Sequence, residues 1–300
     1  MNPNQLPIVS IIMATFDRAA LIGGAIQSIL DQTMNEWELI VADDGSTDST
    51  ASVLQKWASL DSRIRYIPLA HVGRISIVSN AALEAARGKY IAILDDDDAW
   101  IDPRKLEKQV RYLDQHPECV ACAGGYRIVN EKDIHVEDVF KPESDDAIRH
   151  VALRANPIAN STAMFRRSVG EMYDPSLSQF ADWDFWLKMG RHGKLHNFPE
   201  VFLAYRIWNQ GSSFVNQRAN ALSAIKVVRR YKSDYPGYGR AILAARAYLL
   251  YTYLPAKVRR RANSSLSRLK KRMFGKVERA NKGSDQHVRN ETQQSTRVNP

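Results

Sequence analysis

Short β-branched runs alternate with segments of helical period along the first half of the chain. Residues 8–13 read as a strand, and Leu21, Ile22, Ala25, Ile26, Ile29 and Leu30 then recur at the spacing of an amphipathic helix. Residues 38–42 form a second strand. A helix through Val53, Leu54 and Trp57 follows, with Ser46, Thr47 or Asp48 as its cap. Residues 64–69 give a third strand, 75–87 a helix stopped by Gly88, and 90–94 a fourth strand. This alternation predicts a parallel sheet with right-handed crossovers, in which ligands bind beyond the carboxyl ends of the strands. The second strand runs into Asp43, Asp44, Gly45 and Ser46, the fourth into Asp95, Asp96, Asp97 and Asp98. Both acidic clusters should therefore face one crevice.

Beyond Pro103 the pattern predicts a helix to His116 and a strand over 120–129, then a polar excursion over 130–149. Apolar segments at 158–165 and 182–189 and a strand and turn over 198–208 complete the body. From Asn220 the chain is helical and increasingly cationic, and from about residue 282 it has the composition of a disordered tail. There is no internal repeat.

Charge sharpens this division. The net charge of +9 hides a value of +15 from Lys226 onward and −6 before it. A mildly acidic body with a basic tail argues against a fold built around a nucleic-acid groove, so no nucleic acid is expected. Two cysteines, Cys119 and Cys122, are too few to staple a secreted chain and read as buried thiols on a strand. No signal peptide is visible, and the longest late apolar stretch is interrupted by Arg246. A cytoplasmic protein is expected.

Four consecutive aspartates at the end of an apolar strand repel by about 1 kcal/mol per adjacent pair in water, and by about 4 kcal/mol in a partly covered cleft. A cation must offset that, and hard oxygen ligands favour Mg²⁺ or Mn²⁺. In an extended segment Asp95 and Asp97 share one face, Asp96 and Asp98 the other. A solvated turn capping the next helix is the plainer alternative. Asp43 and Asp44 could likewise form only a turn, but a carboxylate at a strand's end can also accept from a base N–H or a ribose hydroxyl.

Taken together and in order, the motifs resemble the inverting family 2 glycosyltransferases with the GT-A fold, an α/β Rossmann-like fold binding nucleotide-diphospho-sugars on a mixed, mainly parallel sheet. The resemblance rests on Val9-Ser-Ile-Ile-Met-Ala-Thr-Phe-Asp17, Ala25-Ile-Gln-Ser-Ile-Leu-Asp-Gln-Thr33, Val41-Ala-Asp-Asp-Gly-Ser-Thr-Asp48 and Gly88-Lys-Tyr-Ile-Ala-Ile-Leu-Asp-Asp-Asp-Asp-Ala-Trp100. It extends to Asp182-Trp-Asp-Phe-Trp186 and Tyr205-Arg206, covering roughly residues 7–215. It implies a transferase domain over 1–219, with a nucleotide-sugar half (1–130) and an acceptor half (131–219). Basic C-terminal helices over 220–281 and a tail over 282–300 would follow.

The resemblance further implies that Thr15, Asp17, Asp43 and Asp44 line the nucleotide site, with Asp44 reading the base. Asp95 and Asp97 would form the DxD pair that holds Mn²⁺ or Mg²⁺, with Asp96 on the nucleotide-sugar side. Gly73, Arg74 and Asn80 would belong to the nucleotide-side loop and helix. Asp182 matches the catalytic base, although Ala181 stands where relatives carry a glutamate; Asp184 is the reserve candidate. Trp183 and Trp186 are either an acceptor platform or core, Arg206 either a phosphate ligand or a salt-bridge partner, and Trp208 stands where many relatives have a histidine. The implied reaction is direct displacement on a UDP-sugar, with dTDP and GDP sugars open, in cell-surface polysaccharide synthesis. The expected acceptor is a glycan or lipid-linked glycan at the cytoplasmic face of the inner membrane, with the basic segment 257–274 on an anionic leaflet. Two rivals are a metal-dependent nucleotidyltransferase, for which a Gly-rich basic loop after the first strand is missing, and a non-catalytic membrane or nucleic-acid adaptor, which leaves the acidic clusters unexplained.

Overall fold

The computed structural model describes residues 6–130, 134–206 and 217–254, and the backbone of 276–279. Strands β1 (Val9–Thr15), β2 (Trp37–Asp43), β3 (Ile64–Pro68) and β4 (Tyr90–Ile93) lie parallel in the order β4-β1-β2-β3. Helices α1 (Ile22–Leu30), α2 (Thr50–Leu60) and α3 (Ile75–Ala85) make the crossovers. β1 and β2 are almost continuously buried, as strands covered on both faces must be. Their alternation divides the core: Ile12 and Ile40 face a cluster with Val78, Phe165 and Trp186, while Ile11 and Leu39 face another with Ile26, Leu54 and Leu106.

The sheet continues into the second half. β8 (Met164–Arg166) runs antiparallel to both β4 and β6 (Cys119–Val129); β9 (Lys194–Arg206) pairs parallel with β6 and antiparallel with the short β5 (Ala99–Trp100). Helices α4 (Lys105–Gln115), α5 (Asp145–Val151) and α6 (Ala181–His192) pack around these strands. Parallel ladders hold most of the paired residues, so the sheet is mixed and mainly parallel, as the sequence implied. Both cysteines are buried free thiols.

The region 130–149 departs from its reading as an exposed excursion. It holds β7 (His135–Phe140), antiparallel to β6, and α5, whose N-cap Ser144 accepts from the Ala147 amide. Charges that read as solvent-facing are cross-strand partners: Arg127 on β6 donates to Asp138 on β7 at 2.9 and 3.0 Å. Likewise Lys276–Arg279, expected within a helical extension, forms β10 antiparallel to β7.

Two C-terminal helices, α7 (Gln217–Arg230) and α8 (Tyr238–Thr252), pack on the body as a hairpin. Arg230 bridges Asp184 (2.6 Å) and Asp174 (2.8 Å), while the Tyr231 hydroxyl donates to Asp184 and that of Tyr235 to the Leu187 carbonyl. Among the described residues no helix is long and apolar enough to cross a membrane.

At the amino end of the parallel strands, Glu38 is buried and fully engaged. Its Oε1 accepts from the Ser10 hydroxyl (2.7 Å) and the Arg87 amide (2.9 Å), its Oε2 from the guanidinium groups of Arg65 and Arg87. Burial alone would raise its pKa, but these hydrogen bonds outweigh burial and hold it below the ordinary value. Gly88 fits beneath this network because a Cβ there would lie 2.5 Å from the Ser10 nitrogen.

Candidate active site

At the carboxyl end of the same strands, three loops are tied together by the acids that the sequence singled out. Asp17 takes a left-handed backbone (φ 51°) and accepts from the Thr47 and Asp48 amides at 2.7 and 3.2 Å, joining the loop after β1 to that after β2. Asp43 is buried, with Ser46 on one carboxylate oxygen and the Tyr66 hydroxyl on the other (3.0 Å). Asp44 is buried too and accepts from the amides of Val72 (2.7 Å) and Gly73 (2.9 Å), which fastens the loop before α3. Gly45 (φ +71°) has no room for a side chain, since a Cβ would meet the His71 nitrogen at 2.9 Å. His71 Nδ1 lies 3.1 Å from Asp44, and its half-exposed ring leans on Phe16 with ring centroids 4.6 Å apart.

The four aspartates after β4 contrast with these satisfied acids. Asp95 lies on the floor of a cleft, where water reaches it although protein surrounds it on most sides; its Oδ2 accepts from Ser161 at 2.8 Å. Burial, with repulsion from Asp97 and Asp182, pushes its pKa up to about 6. Burial and Asp97 push Asp96 up to about 7, although Arg18 stands 3.7 Å away. Asp98 is raised well above the carboxylate range, again chiefly by burial, and its Oδ1 has no hydrogen-bond partner. Asp97 is half-buried and contributes to the repulsion on all three. The Thr15 hydroxyl is buried beside Asp96 without a hydrogen bond of good geometry.

The cleft itself measures about 570 Å³. It brings together Gly73 and Arg74 from the loop before α3, Asp95 from the end of β4, Asn160 and Tyr173 from the connection around β8, and Asp182 from the first turn of α6. Asp182 accepts from the Asn156 amide at 2.7 Å, and burial raises its pKa against the opposing pull of its hydrogen bonds and Lys141. It follows Phe180, which holds a left-handed backbone (φ 61°) on the cleft wall. Among the described residues only Asp17 and Phe180 combine a side chain with positive φ, and both sit at this end of the sheet. Such backbone costs on the order of 1 kcal/mol or more and persists where the surroundings impose it.

Asp184 faces away from the cleft and is fully buried against Arg230 and Tyr231, so it ties α6 to α7. Trp183 and Trp186 are both core, Trp183 donating to the Ala152 carbonyl. Arg74 reaches across to the Pro175 carbonyl (3.0 Å), and Asn80 clamps the Tyr173 backbone through two 2.9 Å hydrogen bonds. Arg206 ends β9, and Trp208 and the basic segment 257–274 lie outside the described residues. Sequence reasoning missed Asn156, Asn160, Ser161 and Tyr173. The available signal was Asn160-Ser161-Thr162, three polar residues inside an otherwise apolar run.

The donor set after β4 suits a hard divalent cation: all oxygen, mutually repelling, with one buried oxygen unpartnered. Among the described residues no three His, Cys, Asp or Glu side chains converge on a point. The protein would thus supply one or two carboxylates, and water and phosphate oxygens the remainder.

Known proteins resemble this chain in sequence and in fold. The model of glycosyl transferase family 2 matches residues 10–171. TuaG of Bacillus subtilis, named for teichuronic acid biosynthesis, is 31% identical over 216 residues, covering 70% of this chain and 83% of that protein. Residues 1–349 of S. aureus TarS in complex with UDP-GlcNAc superpose with a TM-score of 0.66 at 16% identity, covering 83% of this chain and 76% of that one. The mannosyltransferase PcManGT of Pyrobaculum calidifontis, in complex with GDP-Man and Mn²⁺, gives 0.61 at 18% identity over 98% of this chain and 82% of that one. These two are neighbours in fold, the GT-A fold expected from the motifs.

Proposed function

The chain belongs to glycosyltransferase family 2, and from that premise we propose that it moves a sugar from a uridine diphosphate donor to an acceptor hydroxyl with inversion, in lipopolysaccharide, O-antigen or exopolysaccharide synthesis. The observation that carries the reading is the single cleft lined by Arg74, Asp95 and Asp182. The teichuronic acid name of TuaG and the UDP-GlcNAc bound to TarS support the polymer class and the nucleotide.

Asp44, with Thr15, Asp17 and Asp43 shaping its loops, receives the base and ribose, and Arg74 and Asp96 flank the diphosphate. Asp182 is the base. A carboxylate whose pKa is raised by burial is a better proton acceptor than one in water. It takes the proton from the acceptor hydroxyl as that oxygen bonds to the anomeric carbon and the bond to the diphosphate oxygen breaks. One displacement inverts the centre and needs no covalent intermediate. Asp97 and Asp95 would hold Mn²⁺ or Mg²⁺, which when bound neutralises charge on the departing diphosphate. The acceptor is a glycan or lipid-linked glycan, and the basic segment 257–274 keeps the enzyme peripheral on the cytoplasmic face of the inner membrane.

The test is release of nucleoside diphosphate from a panel of UDP, dTDP and GDP sugars, in Mn²⁺ or in EDTA. Release from a UDP-sugar only with the metal is expected. Metal-independent release, or none from any donor, contradicts the reading.

A further inference from the structure

The C-terminal hairpin carries a surface that sugar transfer does not use. Helix α8 buries Ala241, Ile242 and Ala245 against the body. Its outer side presents Leu243, Ala247 and Leu250, at i, i+4 and i+7, all exposed, and Leu254, two residues past its end, is exposed as well. Leu243 and Leu250 stand 65% and 69% open to solvent. At 3.6 residues per turn the three helical positions fall within an arc of roughly 60°, with Arg240 and Arg246 about 60° to either side of Leu243. On α7 Leu222 is exposed too, and the Arg218 guanidinium of that helix sits 4.6 Å over the exposed Tyr253 ring.

Single exposed leucines need no explanation, but an aligned stripe bracketed by arginines does. Residues 217–254 hold seven Lys or Arg against one acid, Asp234, a net charge of +6 on a body that is otherwise acidic. Arg230 is engaged by Asp174 and Asp184. A second copy would bring +6 against +6 and be repelled. An anionic leaflet answers both features at once: the leucines enter the boundary between headgroups and acyl chains, and the flanking guanidiniums meet phosphates.

We propose that the outer face of the α7–α8 hairpin is a docking surface for an anionic lipid bilayer. Leu243, Leu250 and Leu254 insert, and Arg240 and Arg246 lie at headgroup level. The chain beyond Leu254 continues in the same chemistry, with Lys257, Arg259, Arg260 and Arg261 next in sequence. The hairpin is fixed to the cleft side of the body through Arg230 to Asp174 and Lys226 to Ser176, just before Leu177, which lines the cleft. Docking would therefore hold one wall of the cleft at a set distance from the leaflet. The surface stands on its own observations and does not depend on the transferase chemistry.

The experiment is sedimentation of the full chain with phosphatidylcholine vesicles, with and without phosphatidylglycerol. Binding only to the anionic vesicles, weakened by salt, is expected. The double variant Leu243→Ser, Leu250→Ser should lower partitioning about tenfold or more, and Arg240→Gln with Arg246→Gln about fivefold or more, both at unchanged Tm. A dye on Leu250→Cys, reporting a drier environment with anionic vesicles, would support insertion directly. Three results would overturn the proposal. One is no vesicle binding by the parent chain. Another is full binding by the leucine variant together with loss on neutralising Arg259, Arg260, Arg261, Lys270, Lys271 and Arg272 to Gln, which assigns binding to the tail alone. The last is a dimer in sedimentation velocity, abolished by the leucine variant, without vesicle binding, which assigns the face to a second copy.

Discussion

The two ends of the parallel sheet treat buried acids in opposite ways. At the amino end, Glu38 receives hydrogen bonds from Ser10, Arg65 and Arg87, and its pKa falls. At the carboxyl end, Asp95, Asp96 and Asp98 crowd together with Arg18 as the one cation in ion-pair reach among the described residues, and their pKa values rise. Glu38, Asp96 and Asp98 are all buried, whereas Asp95 is open to the cleft. The first arrangement is complete without a ligand and so maintains the fold. The second is left short of positive charge, which makes it a candidate binding site.

The sharpest break between the two ends should come from Asp182→Asn, which removes the proton acceptor at constant volume. Turnover is expected to fall by about 10²–10⁴-fold with donor affinity nearly unchanged. In the parent enzyme, activity should also decline as pH falls through the Asp182 pKa, which burial has raised. Isothermal titration with the donor nucleotide and a pH–rate profile check both, and an unaffected turnover would rule out Asp182 as the base.

Glu38→Gln should do the reverse, leaving kcat/KM alone while lowering stability by about 2 kcal/mol, the scale of lost charge-assisted hydrogen bonds. Because the native Glu38 pKa lies below its ordinary 4.5, the parent's advantage is fully present above that value. It disappears as pH falls through the native pKa. Urea melts of both proteins across the acid range measure it.

How far the sequence exposed this contrast depended on whether a residue's partner was near in the chain. The alternation of β1 to β4 with α1 to α3 and the clusters at 43–44 and 95–98 were legible, because local period and strand ends carry them. β7 was not, since its Asp138 is neutralised by Arg127 on another strand. Nor was the separation of Asp182 from Asp184, two residues apart on one helix: Asp182 faces the cleft, and Asp184 meets Arg230, 46 residues later. Asn80 shows the same limit, read beside the nucleotide but found holding Tyr173, 93 residues away.

That clamp gives the smallest predicted effect. Asn80→Ala should cost about 1 kcal/mol, and because Tyr173 lines the cleft it should raise KM for the donor more than it lowers kcat. Steady-state kinetics beside a thermal melt would show it, and an unchanged KM would confine Asn80 to the scaffold.

On the proposed function, the acids at the carboxyl end are completed by a divalent ion and a nucleoside diphosphate, whereas Glu38 is already satisfied by its own neighbours. The most direct measurement is UDP affinity by calorimetry in Mn²⁺ and in EDTA, for the parent, Asp97→Asn and Glu38→Gln. Mn²⁺ should tighten binding about tenfold or more in the parent and in Glu38→Gln, and Asp97→Asn should lose the gain. Equal affinity in Mn²⁺ and EDTA for the parent, or a full Mn²⁺ gain in Asp97→Asn, would contradict it.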